Sequence, residues 1–328
     1  MAFSMHLSRK RIANIIINDH SIRFVELKQA NPPIAQKCEE RFLPTGIIKE
    51  GKINDFDSLS NILDECIDDW KIKHRSVRFI IQDSLVIIRK VTIPADIRDD
   101  EIKGYLYMEL GATIHLPFED PIFDIFQLNT SETTKEVLLF AAPEKYVLDF
   151  TDLFTNLKLQ PIAADTSPLA LYRLYHHLDL SREQEILLTV QFDLTAVSLC
   201  IFEGTIPVVM RQLPFDFDIN KWDIKRDSMG TDIKFKGDTN ELALQLEDVF
   251  KEINKFFDFY RYTLNNGKKQ ILKILLNGDH PMLNLVLDEL IDRYDVPINM
   301  LNLETAKNKT DKLPSKYYLC LGLALKEV

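Results

Sequence analysis

The stretch ILLTVQFDLTAVSLCIFEGTIPVVMRQL, residues 186–213, decides how this chain is read. Ile186–Phe192 is an apolar run, Asp193-Leu194-Thr195 supplies turn residues, and Val197–Phe202 alternates. A second turn at Gly204 leads into Val208–Leu213. Strand, tight turn, strand, turn and strand in succession make a β-meander. The same order occurs near the start. Ile12–Ile17 is apolar, Asn18-Asp19-His20 turns, Ile22–Leu27 alternates, and Ile34–Phe42 follows Pro32-Pro33 as a third strand. A supersecondary unit that recurs within one chain points to an internally repeated architecture.

Helices of 3.6-residue period follow each copy. Leu59, Ile62, Leu63, Cys66, Ile67 and Trp70 form one apolar stripe, and Leu283, Val286, Leu287, Leu290, Ile291 and Tyr294 form another. The longest stripe runs Leu242, Leu246, Val249, Phe250, Ile253, Phe256, Phe257, Tyr260, with Asp238 and Glu241 spaced as a helix cap and an end near Gly267. Two copies of a meander with helices predict two similar lobes facing a cleft, an actin-type α/β architecture with mixed sheets. The region after the first copy is too long for one lobe. Strands are predicted at Val77–Ile81, Leu85–Ile93, Ile122–Leu128 and Val137–Ala141, with helices over 99–114 and along Tyr146–Leu157. This block reads as a small inserted α+β subdomain.

Composition bounds the function. The chain has 328 residues, a net charge of −10 and 27% charged residues. An acidic balance argues against nucleic acid, whose phosphates are met by Lys and Arg. Cys38, Cys66, Cys200 and Cys320 are scattered among apolar neighbours and read as buried thiols of a reducing compartment. No apolar run approaches the ~18 residues of a membrane span. The basic cluster Arg9-Lys10-Arg11 precedes a stretch that stops at Asn18-Asp19, a first strand rather than a signal sequence. A cytoplasmic location follows from this reading.

The insert carries the specific motifs. The run IPADIRDDEIKGYLYMELGATIHLPFEDPIFDIF, residues 93–126, places Ile93-Pro94, Glu101, Glu109, Leu116-Pro117-Phe118 and Asp124 in a distinctive order. The following VLLFAAPEKYVLDFTDLFTNLKLQPIAADTSPLALYRLY and the closing KYYLCLGLALKEV complete the pattern. Over most of its length the chain resembles the PilM family, actin-like proteins of type IV pilus assembly related to the cell-division protein FtsA. The resemblance implies a first lobe over 1–83 and 160–180, an insert over 84–159, a second lobe over 181–219 and 269–328, and a reduced cap over 220–268.

An actin-type ATPase holds phosphate on two hairpin turns, one per lobe, where backbone N–H groups approach closely and glycine is favoured. The family's first turn reads Asp-x-Gly-Ser-Ser-Ser followed by Lys. Here Ile16 stands at the Asp position and Asn18 at the Gly position, with Asp19 beside it, while Ser21 and Arg23 keep the hydroxyl and the positive charge. The second turn, expected as Asp-x-Gly, has Gln191 and Asp193. The adenosine-side Gly-Gly appears as Gly278-Asp279. The chain has 10 glycines, where ordinary usage gives about 23. These departures imply a pseudo-ATPase: no catalytic residue, no metal, and ATP with Mg²⁺ disfavoured as cofactor.

The implied function is a cytoplasmic scaffold of a type IV or competence pilus platform. It would bind the N-terminal cytoplasmic tail of a PilN-like single-span membrane protein and adjoin the motor ATPase, held at the membrane's inner face through partners without inserting itself. Two alternatives stay open: an ATP-binding switch of the same machine, and an FtsA-like membrane cytoskeletal protein. An extended peptide laid on strands with side chains in pockets is the expected mode, with Val86, Ile88, Arg89 and Tyr105 as groove candidates between lobe and insert. Glu109 lies on the apolar face of its predicted helix and reads as a buried structural carboxylate paired with Arg89 or Arg78. The seven histidines show no metal-ligand spacing and read as surface or packing residues, and no nucleophile or phosphate-loop motif is present.

Overall fold

The computed structural model describes residues 11–215, 218–227, 230–303 and 313–327; Arg9 and Lys10 of the basic cluster lie outside them. The first meander is present as β1 (Ala13–Ile17), β2 (Ser21–Gln29) and β3 (Ile34–Phe42), antiparallel with Ile17 opposite Ile22. A short ribbon, β4 (Ile48–Lys49) with β5 (Lys52–Ile53), precedes helix α1 (Phe56–Trp70). Asp55 caps α1 by accepting the Ser58 N–H at 3.0 Å, and the helix closes on Lys71 in the left-handed region at φ 59°. Its stripe buries Leu59, Leu63, Cys66, Ile67 and Trp70. Strand β6 (Ser76–Ile80) then runs parallel to β1.

The inserted block follows: β7 (Ile87–Pro94), α2 (Ile102–Glu109), β8 (Pro121–Thr130) and β9 (Thr134–Pro143), with sheet order β7-β9-β8. The helix expected over 99–114 is shorter. Leu110 leaves helical geometry at ψ 127° and Gly111 takes φ 84°, so the chain turns there and Leu110 bridges Ile114 instead. A local core of Ile93, Ile102, Leu106, Ile114, Phe123, Val137, Leu139 and Ala141 holds the block together. Helix α3 (Glu144–Asn156) sends Phe150, Leu153 and Phe154 into the core of the first sheet, where Phe154 meets Phe79 at 5.2 Å. Strand β10 (Gln160–Asp165) joins β6 in parallel, giving the order β10-β6-β1-β2-β3, and α4 (Ser167–His177) follows.

The second lobe repeats this plan. β11 (Ile186–Phe192), β12 (Ala196–Glu203) and β13 (Ile206–Pro214) form the second meander. The polar stretch after it, which opens the reduced cap expected over 220–268, contains a hairpin of β14 (Trp222–Asp227) and β15 (Gly230–Phe235); Trp222 packs on Phe235 at 4.9 Å, which supplies the apolar contact that alternation alone left invisible. Helix α5 (Thr239–Asp258) is capped by Asp238 through the Asn240 N–H at 2.9 Å and continues as a π-helical turn over Phe259–Leu264. Glu241 does not complete the cap; it pairs with Lys221. β16 (Lys273–Gly278), α6 (Leu283–Arg293) and β17 (Ile298–Met300) complete the sheet β13-β12-β11-β16-β17. On α6, Leu283, Val286 and Leu290 are buried while Ile291, a position further round, is exposed.

Each sheet thus has a central strand, two antiparallel strands on one side and two parallel strands on the other. Helix α4 and the last helix, α7 (Tyr318–Ala324), lie in one apolar cluster with residues of both sheets, among them Ile16, Val25, Leu187, Phe202 and Leu275. The two helices cross closely: a Cβ on Gly322 would stand 2.0 Å from the Ala170 carbonyl oxygen. The architecture is the two-lobed α/β fold with mixed sheets expected from the duplicated meander.

Candidate functional site

The two lobes' hairpin turns are built alike. Asn18 donates its N–H to the Ser21 carbonyl at 2.8 Å, and Asp193 donates its N–H to the Ala196 carbonyl at 2.9 Å. Strands β1 and β11 aim both turns at the cleft. The positions singled out in sequence part company here. Ile16 points away, into the cluster around α4 and α7. Asp19 accepts the N–H groups of Glu50 and Gly51 at 2.8 and 3.0 Å and so ties its turn to the β4–β5 ribbon. Ser21 is fully buried.

Asp279 and Arg23 come together. Asp279 follows directly on Gly278, the last residue of β16, and its Oδ1 accepts the N–H of Leu194 in the second turn at 2.9 Å. Its Oδ2 lies 2.5 Å from the Arg23 guanidinium and 3.0 Å from His20 Nε2, both from the first lobe. Arg23 also donates through Nε to Glu40 at 2.8 Å, and Glu40 in turn holds Lys316 at 2.5 Å. Arg23, His20, Glu40 and Asp279 all have side chains less than a tenth exposed. Buried charges persist only when paired and hydrogen-bonded, and here each carboxylate has two cationic or polar partners.

The electrostatics follow from burial and pairing. Burial opposes the charge of Asp279, but Arg23 and His20 beside it hold its carboxyl well below the usual range. Burial likewise works against Glu40, and Arg23 with Lys316 bring it below its ordinary value. Asp193 goes the other way: burial and the neighbouring Asp279 charge push it well up. A polar ladder leads to it, with Asn277 donating to Gln191 Oε1 at 2.8 Å and Gln191 donating to Asp193 Oδ1 at 2.6 Å. Gly278 is required where it stands, since at φ 154° a Cβ would come 1.9 Å from the Phe192 carbonyl oxygen of the paired strand. His280 packs among Phe192, Phe215 and Trp222, and burial lowers it to about 4.

A second concavity of about 750 Å³ opens between the first lobe, the insert and the β12–β13 hairpin of the second lobe. Val86, Phe126, Leu138, Phe140, Leu169 and Ile206 give it an apolar lining, and Lys103, Asp124, Asp165 and Lys326 set charges of both signs around it. Strand β8, an edge of its sheet, runs along it through Ile122–Phe126 with Phe126 60% exposed. Of the four groove candidates, Val86 lines this concavity; Ile88, Arg89 and Tyr105 do not. The groove follows β8 and β9, whereas β7 is the opposite edge of the sheet. Arg89 donates to the His115 carbonyl at 2.7 Å and Tyr105 packs on the insert's core.

Glu109 is corrected by the structure. It is half-buried at the end of α2 and accepts from the Thr113 hydroxyl, while Arg78 donates to the Ala324 carbonyl at 2.9 Å. The helix ends at Glu109 itself, with Leu110 already extended, so its side chain lies at the helix end rather than in the buried stripe of Ile102 and Leu106. Sequence reasoning missed His20, Glu40 and Lys316. The presence of Arg23 in a buried strand is the one signal that an acidic partner had to exist. Among the described residues no group of His, Cys, Asp and Glu is arranged to hold a metal, and no helix is long and apolar enough to cross a membrane.

No curated protein sequence matches the chain. Its structure is similar to that of a PilM–PilN type IV pilus biogenesis complex, at 19% identity and TM-score 0.77, over 96% of this chain and 98% of that one. A protein of Bacteroides thetaiotaomicron with an actin-like ATPase fold aligns over 99% of this chain and 100% of its own, at 11% identity and TM-score 0.51. MreB5 of Spiroplasma citri bound to ADP aligns over 96% and 95%, at 8% identity and TM-score 0.50. The fold is therefore actin-like. A sequence profile of the type IV pilus assembly protein PilM matches residues 15–328, and the chain belongs to that family.

Proposed function

We propose that this chain is a cytoplasmic platform of type IV pilus assembly that holds the N-terminal tail of a PilN-like single-span membrane protein and does so without nucleotide turnover. The observation that carries the reading is the apolar groove along the free edge of β8. An edge strand offers unpaired N–H and C=O groups to an extended segment, and pockets beside it select alternate side chains. Lys103 stands 3.9 Å from Asp124 and Lys326 3.7 Å from Asp165, and these two mixed-charge pairs bordering an apolar lining suit a short peptide with charges flanking an apolar centre. The PilM–PilN complex among structures of this fold supports a tail of that kind as occupant. Recruitment through such a partner would bring the protein to the membrane's inner face, beside the motor ATPase.

The turns argue against ATP with Mg²⁺. A phosphate group needs the N–H groups of the turns, yet the Leu194 N–H is taken by Asp279 and two further carboxylates, Asp19 and Asp193, stand at the turns themselves. Ile16, buried under α4 and α7, offers no ligand to a metal-bound water. The domain division set out from the sequence is kept in this reading, except that α3 at the end of the expected insert packs Phe150, Leu153 and Phe154 into the core of the first lobe.

Calorimetric titration of the N-terminal segment of the same genome's PilN-like protein tests the proposal. Saturable binding is expected, weakened at least ten-fold by Phe126→Ser or Ile206→Asp. Binding unaffected by both variants would remove the groove from the account. A parallel titration with ATP and Mg²⁺ is expected to give no heat up to millimolar nucleotide, and micromolar binding would overturn the nucleotide-free reading.

A further inference from the structure

Asp279 sits where an anion would have to sit to join the two lobes. It takes a backbone N–H of the second-lobe turn at 2.9 Å, and the Arg23 guanidinium and the His20 imidazole of the first lobe converge on its other oxygen at 2.5 and 3.0 Å. A backbone donor from one side and guanidinium with imidazole from the other is the donor set that recognises a phosphate oxygen. The supporting residues are fixed in turn. Glu40 orients Arg23 from behind, Lys316 neutralises Glu40, and Gly278 permits the close approach of β16 to β11 that places the carboxylate. The arrangement spans the chain from residue 20 to residue 316, so nothing local explains it.

We propose that the Asp279 carboxylate replaces a bound phosphate as the link between the lobes, so that Arg23 and His20 close on the chain's own acid and the protein is latched shut without a ligand. The inference rests on the reading that the cleft takes no nucleotide, and it adds what does the nucleotide's structural work. An internal anion has a consequence that an adventitious ion pair lacks. Removing it leaves Arg23, His20 and the Leu194 N–H facing one another around a vacated anion position, which a small phosphate anion can refill.

The test uses the full chain alone, with no tail peptide. Hydrogen exchange is followed at the two turns, residues 18–21 and 193–196, together with the radius of gyration in solution. Asp279→Ala is expected to raise exchange at both turns at least ten-fold and to expand the particle, while β12 stays as protected as in the unmodified protein. Millimolar inorganic pyrophosphate is expected to restore the protection in Asp279→Ala and to change nothing in the unmodified chain. Unchanged exchange at the turns would overturn the latch, and opening without rescue would overturn the replacement of phosphate. Should Asp279→Ala lose protection in β12 as well, His20→Gln, which removes a single arm, decides the matter: a several-fold rise at the turns supports the latch and none overturns it. ATP binding to the unmodified protein would defeat the parent reading by itself, whereas a failed latch with no ATP binding defeats only this inference.

Discussion

Two residues set sharp limits on what the chain tolerates. Gly278 pairs with Phe192 at φ 154°, and an added methyl would meet the Phe192 carbonyl oxygen at 1.9 Å, well inside contact distance. Backbone on one side and a central strand on the other leave no room to yield. Gly278→Ala is expected to destabilise by at least ~3 kcal/mol, read as a fall in the thermal midpoint. Asp83 sets a pH limit. It is buried, accepts the Ser167 N–H at 3.0 Å at the start of α4, and bonds the Ser198 hydroxyl of the second lobe. Burial pushes its carboxyl from 3.8 up to about 6. A raised acid binds its proton more tightly folded than unfolded, so this contribution is present in full below pH ~4 and is lost as the pH rises through 6, about 3 kcal/mol in all. Asp83→Asn holds no titratable proton. Its stability relative to the unmodified chain should therefore improve between pH 4 and pH 7, and a difference independent of pH would show that Asp83 titrates normally. Gly278 was legible as the retained glycine of a motif and Asp279 as the departure beside it. His20 and Lys316 were not, because their partners Asp279 and Glu40 lie 259 and 276 residues away in sequence and no local pattern encodes such a meeting, and Glu40 meets Arg23, 17 residues before it, only through the β2–β3 register.

Elements with strong periodicity were readable, and those defined by tertiary contacts were not. Helices α1 and α5 declare themselves through long apolar stripes with Asp caps, and the paired meanders through alternation and turn chemistry. The β14–β15 hairpin escaped because its burial comes from Trp222 on Phe235 and His280, in a segment whose composition is polar. Helix α2 was overextended because the apolar spacing continues past Gly111, where the backbone turns. Helix α3 follows the insert in sequence but packs Phe150, Leu153 and Phe154 under the first sheet. Its allegiance is testable. Phe154→Ala is expected to cost ~3–5 kcal/mol and to raise hydrogen exchange in α1 and β6. Leu106→Ala, at the centre of the insert's own core, should raise exchange in α2 and β9 and leave α1 protected. The same exchange pattern from both variants would mean that lobe and insert unfold as one unit.

The two concavities are joined by the second lobe. Asp279 of that lobe holds the latch, and the β12–β13 hairpin of the same lobe supplies Thr205, Ile206 and Pro207 as one wall of the tail groove, whose other walls belong to the first lobe and the insert. Strands β11, β12 and β16 are one hydrogen-bonded sheet, so the latch end and the groove end move together or not at all. Opening the latch must then draw the hairpin wall away from β8 and β9, and an extended peptide between them loses contact on one side. Arg23→Gln removes the guanidinium that both Asp279 and Glu40 face, without touching any residue of the groove lining. The expected outcome is tail affinity lowered about ten-fold, equivalent to ~1.4 kcal/mol. The effect should lie in the dissociation rate, because the groove's chemistry is unchanged and only its fit is relaxed. Surface-bound tail peptide with the protein in solution reads that rate directly. If Arg23→Gln opens the turns and tail dissociation does not change, the groove is complete without the second lobe, and lobe closure and partner capture are independent properties of the fold.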